Sequence, residues 1–193
     1  MRRLSLALAA VVAFGCDKVD YIEIVPSDVE FQTRSESKNL SAKCMSRAGV
    51  RAERAIPTWR VKDPEIAEVN ARAQLKPKKS GTTEVIATFN DVEAAIPVRV
   101  KFVEKIQPQA PSITLTEGGE AQPIRLKFLG LDGKDLGKRG VTYAVKDKAI
   151  AAIVGGDSVL PLDPGKTTVD IQVDGITASV EVVVEADKAA KKK

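Results

Sequence analysis

The chain has 193 residues, 44% of them hydrophobic and 29% charged, which suits one medium or two small globular domains and excludes an intrinsically disordered chain. Its formal net charge of +4 sits at the ends, on Arg2 and Arg3 and on Lys188, Lys191, Lys192 and Lys193. Residues 17–184 are therefore close to neutral, and a nucleic-acid partner, which needs excess positive charge on the fold itself, is not expected.

The chain opens on the basic pair Arg2-Arg3, followed by an apolar run from Leu4 to Phe14. That run is too short to span a bilayer as a helix, which takes about 20 residues, but it has the layout of a secretory signal. Residues 1–15 are thus expected to be a cleaved signal peptide. Ala13-Phe14-Gly15-Cys16 resembles the lipobox of bacterial lipoproteins, in which the cysteine thiol is diacylated and the leader is removed in front of it. The resemblance implies lipidation at Cys16 and a membrane partner held through that anchor, since two acyl chains hold stably where one does not. A plain secretory signal without lipidation is the alternative the same residues allow.

Beyond the leader the dominant feature is an internal repeat. Thr58–Val69 (TWRVKDPEIAEV) lies over Thr142–Ile153 (TYAVKDKAIAAI), an offset of 84 residues from Thr58 to Thr142. Thr58, Val61, Lys62, Asp63, Ile66 and Ala67 meet identical residues, and Trp59 meets Tyr143. The same offset places Gly81, Thr83, Val85, Ala94, Val98 and Val100 on Gly165, Thr167, Val169, Ala178, Val182 and Val184. Upstream, Leu40, Ala42 and Cys44 fall on Ile124, Leu126 and Phe128. One register held across separated segments is a tandem duplication. The expected domains are residues 16–104 and 105–185, with 186–193 a Lys-rich disordered tail.

Taken along the chain, each copy reads as short strands. Leu40, Ala42 and Cys44 predict an inward face. Cys44, aligned with Phe128, is expected to be a small buried hydrophobe rather than a disulfide partner of Cys16, the only other cysteine. Trp59 and Tyr143 take the place of a core aromatic. In Val92–Phe102 the apolar residues Val92, Ala94, Ile96, Val98, Val100 and Phe102 alternate with others, the period of two of a half-buried strand. Ile176–Val184 repeats that pattern. Asn90-Asp91 and Asp174-Gly175 stand just before these runs as two-residue hairpin turns, a geometry that needs positive φ. Between the copies, Glu104 to Pro111 is expected to form a short, proline-stiffened joint.

The residues WRVKDPEIAEV, Gly81-Thr82-Thr83, VIATF and VRV, and their counterparts YAVKDKAIAAI, Gly165-Lys166-Thr167-Thr168, VDIQV and VEVVV, resemble the bacterial Ig-like domain of group 2. That module occurs in tandem in intimin- and invasin-type surface proteins. The resemblance implies an all-β chain of two tandem Ig-like Greek-key β-sandwiches following the cleaved signal peptide. It implies a place in the bacterial cell envelope and a role in binding or adhesion to a protein or an envelope polysaccharide. A structural accessory subunit or spacer of an envelope complex is the alternative.

Candidate binding residues come from the two connections that differ most between copies, since loops at one end of an Ig-type sandwich can bind. These are Arg47, Arg51 and Arg54 in SRAGVRAERAI, and Asp132, Lys134 and Asp135 in GLDGKDLGKRG. Asp132, Asp135, Asp157 and Asp163 do not have the spacing of a calcium loop, so no metal is expected. The chain has no His, which removes the commonest general base, and Cys44 lacks the histidine that would activate it. With no nucleotide-binding or nucleophile-elbow motif either, catalysis and a cofactor are not expected.

Overall fold

The computed structural model describes residues 18–187. Cys16, the leader and residues 188–193 of the Lys-rich tail lie outside them. The first copy forms β1 (Tyr21–Val25), β2 (Val29–Phe31), β3 (Lys38–Asn39), β4 (Ser41–Met45), β5 (Thr58–Val61), β6 (Ala67–Val69), β7 (Gln74–Pro77), β8 (Gly81–Phe89) and β9 (Val92–Val100). The second forms β10 (Lys105–Pro108), β11 (Ser112–Thr116), β12 (Gln122–Pro123), β13 (Leu126–Leu129), β14 (Thr142–Val145), β15 (Ala151–Val154), β16 (Ser158–Pro161), β17 (Gly165–Val173) and β18 (Ile176–Glu185). Strand for strand, the second set follows the first at the 84-residue offset.

Each copy is a two-sheet sandwich with Ig-like strand order. In the first, β2, β9, β8 and β5 are hydrogen-bonded in that order as one sheet. The other sheet is built on β3 and β4, two halves of one strand on either side of Leu40: β4 pairs with β1, and β3 with β7, which pairs in turn with β6. The first strand is thus split. Its β1 half runs antiparallel to β4, and its β2 half crosses to the opposite sheet and runs parallel to β9. The second copy repeats this with β10 on β13 and β11 parallel to β18.

The long central hairpins carry most of the core. In β9 the buried side chains are Ile96, Val98 and Val100, and in β8 Thr83 and Val85 through Ala87 are buried. With so few aromatics, Phe31, Leu75 and Phe102 are the largest fully buried residues of the first core, and Ile171 and a set of valines fill the second. Cys44 is buried as a free thiol, paired across the ladder with Ile22. Phe128 and Ile106 hold the equivalent places in the second copy. Trp59 and Tyr143 pack half-buried against their own cores.

Repeated residues outside the strands have a structural explanation. The backbone N–H of Asp63 donates to Thr83 Oγ1 at 2.9 Å, and the Asp63 carboxylate accepts from the N–H of Glu65 at 3.0 Å. Asp147, Thr167 and Ala149 make the same two bonds at the same distances. A Cβ on Gly81 would lie 2.8 Å from Cδ1 of Ile66, and one on Gly165 would lie 2.8 Å from Cδ1 of Ile150. The shared Asp, Thr, Gly and Ile therefore hold the turn after β5 or β14 against the start of β8 or β17. In the second hairpin turn both residues have positive φ, 48° at Asp174 and 84° at Gly175; in the first, Asn90 takes 51°.

The joint is shorter than the expected segment, residues 104–111. Lys105–Pro108 is strand β10, paired with β13, so the proline-containing segment belongs to the second sandwich and is not a spacer. Core membership changes hands between adjacent residues: Phe102 packs in the first core and Val103 in the second. Glu181 donates its N–H to Pro111 O at 3.1 Å, which ties the β10–β11 connection to β18. At the equivalent point of β9 stands Pro97, which has no N–H to give.

Candidate functional site

The two candidate loops occupy different surroundings. The β8–β9 ladder measures the separation of the ends of the first sandwich, running from Phe89↔Val92 to Gly81↔Val100, about 27 Å at 3.4 Å per residue. The loop of Arg47, Arg51 and Arg54 lies at the Phe89 end, where Thr58 pairs with Thr88. It opens with a tight turn in which Val50 O accepts from Ser46 N–H at 2.9 Å and Gly49 N–H donates to Ser46 O. The entering chain is fastened to the same loop: Asp20 N–H donates to Met45 O at 2.8 Å, and Arg47 N–H donates to Asp20 Oδ2 at 2.8 Å.

This tip is both basic and apolar. Lys18 reaches Asp20 at 3.7 Å and Arg51 reaches Glu53 at 3.6 Å. Arg47 and Arg54 are exposed and form no ion pair among the described residues. The same loop carries Val50, 65% exposed, and Ile56, 81% exposed. Isolated exposed aliphatics are ordinary on protein surfaces. Here two large ones share a twelve-residue loop (46–57) with three arginines.

The loop of Asp132, Lys134 and Asp135 faces the other end of the first sandwich. A groove of about 600 Å³ lies between them, lined by Ser80, Arg99 and Lys101 on one side and Leu131, Asp132 and Asp135 on the other. The structure therefore does not gather the six candidate residues into one site. Within the second loop, Lys134 Nζ stands 3.0 Å from Asp132 Oδ2, and its N–H donates to Asp132 Oδ1 at 3.1 Å. These two bonds hold the Asp132 carboxyl below the usual carboxylate range. The groove's cations are also engaged, Arg99 with Asp28 at 2.8 Å and Lys101 with Glu30 at 2.8 Å. The Lys101 ammonium likewise holds the Glu30 carboxyl below its ordinary value.

A set of residues beside the groove joins the two copies, and the sequence reading did not single them out. Arg34 N–H donates to both carboxylate oxygens of Asp174, at 2.9 and 3.0 Å, and its Nη1 reaches Asp174 Oδ2 at 3.1 Å and Asp174 O at 3.2 Å. The guanidinium also lies 4.5 Å from the centre of the Phe102 ring and 3.8 Å from Glu104 Oε2. Ser80 Oγ donates to Glu104 Oε1 and accepts from Phe102 N–H at 3.3 Å. The signal that could have found this clamp is departure from the repeat. At the 84-residue offset Arg34 meets Gly118, Glu104 meets Lys188, and Asp174 meets Asn90.

Among the described residues no three His, Cys, Asp or Glu side chains converge as metal ligands, and no helix is long and apolar enough to cross a membrane.

No protein-family model matches the chain, and no curated protein does. Solved structures similar to it include domains 4 and 5 of the S-layer protein SbsC, at 18% identity over 86% of this chain and 98% of that one, with a TM-score of 0.39. The I9–I11 tandem from titin is similar at 9% identity over 86% of this chain and 66% of that one, TM-score 0.44. Human protocadherin-24 EC1-2 is similar at 10% identity, covering 85% and 98%, TM-score 0.34. This chain spans 28% of the length of one longer SbsC chain and 30% of another. What identifies the fold as a tandem of Ig-like sandwiches is the chain's own strand order and register.

Proposed function

We propose that this protein is a non-catalytic lipoprotein of the bacterial cell envelope, in which two Ig-like modules of the group 2 type stand on a lipid anchor at Cys16. The observation that carries the reading is the contrast between the two ends of the first sandwich. At one end the chain enters the fold through the Asp20 bonds to Met45 and Arg47, four residues after Cys16 in the sequence. The other is clamped to the second sandwich by Arg34 and Asp174.

This arrangement bears on how a protein or polysaccharide partner is met. The second loop, with Asp132, Lys134 and Asp135, borders the joint, and the first, with Arg47, Arg51 and Arg54, borders the anchor. Binding therefore falls to the sheet edges, where a partner can add a strand, or to the far end of the second sandwich. The clamp also favours the second reading, a spacer or accessory subunit of an envelope complex, because it couples the modules to each other.

The test is mass spectrometry of the membrane-associated mature protein. An acylated N-terminal peptide beginning at Cys16 is the expected result. An unmodified N-terminus produced by cleavage elsewhere would overturn the anchor.

A further inference from the structure

The reach between anchor and fold is short. Four peptide steps separate Cys16 from Asp20, which is bonded into the tip of the first sandwich. At 3.3–3.6 Å per residue they span at most about 14 Å. A diacylated cysteine lies at the level of the lipid headgroups, so a chain anchored there brings the loop of residues 46–57 to the membrane surface.

What that loop presents suits such a surface. Ile56 and Val50 are among the most exposed large aliphatic side chains of the described residues. Arg47 and Arg54 alternate with them along the loop, Arg47 before Val50 and Arg54 before Ile56, with no ion pair among the described residues. Apolar side chains that enter the headgroup–acyl boundary, beside cations that meet anionic headgroups, are the composition of an interfacial contact. A guanidinium also pairs with a phosphate through two parallel hydrogen bonds. The acids nearby do not cancel this: Asp20 bonds Lys18 and Arg47 N–H, Glu53 pairs with Arg51, and Asp91 is a single exposed residue in the neighbouring turn.

We infer that the tip formed by Lys18, Arg47, Val50, Arg54 and Ile56 is a membrane-contact surface that docks the first sandwich on an anionic phospholipid bilayer. The inference rests on the anchor reading for its geometry. The partner is the lipid surface itself, with Val50 and Ile56 inserted and Arg47 and Arg54 on phosphates.

The experiment places an environment-sensitive fluorophore at Val50→Cys, and in a second protein at Leu162→Cys, which follows β16 in the second sandwich. Cys44 is buried and does not compete for label. The full processed chain is extracted from membranes and reconstituted in phosphatidylglycerol-containing vesicles, with and without brominated acyl chains. At position 50 a blue shift and at least twofold quenching by brominated lipid are expected, with neither at position 162. The double substitution Arg47→Glu/Arg54→Glu should halve that quenching or better. Equal quenching at the two positions overturns the proposal. So does a blue shift at position 50 without vesicles that grows with protein concentration, since a second copy would then cover the tip. Mass spectrometry of the same sample reports the anchor separately. If Cys16 carries no lipid, the anchor reading fails alone, and residues 17–193 with the same labels and vesicles decide the surface. Salt-sensitive quenching at position 50 then sustains it, and none overturns it.

Discussion

Replacing Thr83 by Val, and separately Thr167 by Val, tests the account of the repeated residues in both copies at once. Each threonine is buried, 5% and 6% exposed, and each hydroxyl accepts one backbone N–H at 2.9 Å, from Asp63 or Asp147. Valine keeps the shape and the strand preference but removes the acceptor, leaving a partly buried N–H without its partner. An unsatisfied buried donor costs about 1–3 kcal/mol. In a sandwich of this size that is a fall of roughly 5–15 °C in the midpoint of its own thermal transition. Calorimetry of each variant should show one transition lowered and the other unmoved, with the two losses equal within about 1 kcal/mol because the bonds are the same. Thr82→Val is the control: Thr82 is exposed one residue away, and its substitution should stay within about 0.5 kcal/mol. The reasoning is refuted if Thr83→Val costs no more than Thr82→Val, or if either buried substitution lowers both transitions equally.

Removing the Arg34 side chain together with the Asp174 carboxylate, which also accepts from the Arg34 backbone N–H, should loosen the joint without unfolding either sandwich. Charge-assisted bonds at a partly exposed group are worth about 1 kcal/mol after screening, and glycine suits the positive φ of residue 174, so Arg34→Ala/Asp174→Gly should barely move either melting transition. Residual dipolar couplings should nevertheless require separate alignment tensors for the two sandwiches; a single shared tensor in the variant would sink the clamp. Cys44 is buried and burial pushes its thiol up, so it should resist thiol reagents at pH 8 until the fold opens. Cys44→Ser should cost about 1–3 kcal/mol by burying a hydroxyl, and rapid labelling of native protein at Cys44 would contradict this. Glu30, held low chiefly by its hydrogen bond to Lys101, contributes stability that is present above the ordinary carboxylate pKa and lost as pH falls through its lowered folded value. Glu30→Gln should therefore be less stable than the parent at pH 7 by under about 1 kcal/mol, since the pair is partly exposed. That gap should close on acidification below about pH 4, and one that widens there would contradict the assignment.

The clamp changes what the tandem can do. In a single Ig-like sandwich the loop between the fourth and fifth strands and the final hairpin turn share one free end. Here the second copy's versions of both, Gly130–Leu136 and Asp174-Gly175, are turned to the first sandwich. The loop tips at that end of the second module are thereby turned toward the joint, and the first module's own versions, residues 46–57 and Asn90-Asp91, lie at the end where the chain enters.

The sequence by itself determined the duplication, the all-β class and the inward face of each main strand, because a period of two and an 84-residue register are properties of the chain read one residue at a time. It also marked Cys44 as a core position through its alignment with Phe128. The expected boundary at residues 104 and 105 came from the repeat, but only the tertiary structure showed Lys105–Pro108 to be a strand and not part of a proline-stiffened joint, since that depends on its pairing with Leu126–Leu129. Only the tertiary structure separated the two candidate loops, which the repeat makes equivalent and the stacking of one sandwich on the other does not. The bonds from Arg34 to Asp174 span 140 residues and have no counterpart in the other copy. A repeat signal reports what each module needs in order to fold, whereas a contact between modules depends on the residues at which the two copies differ.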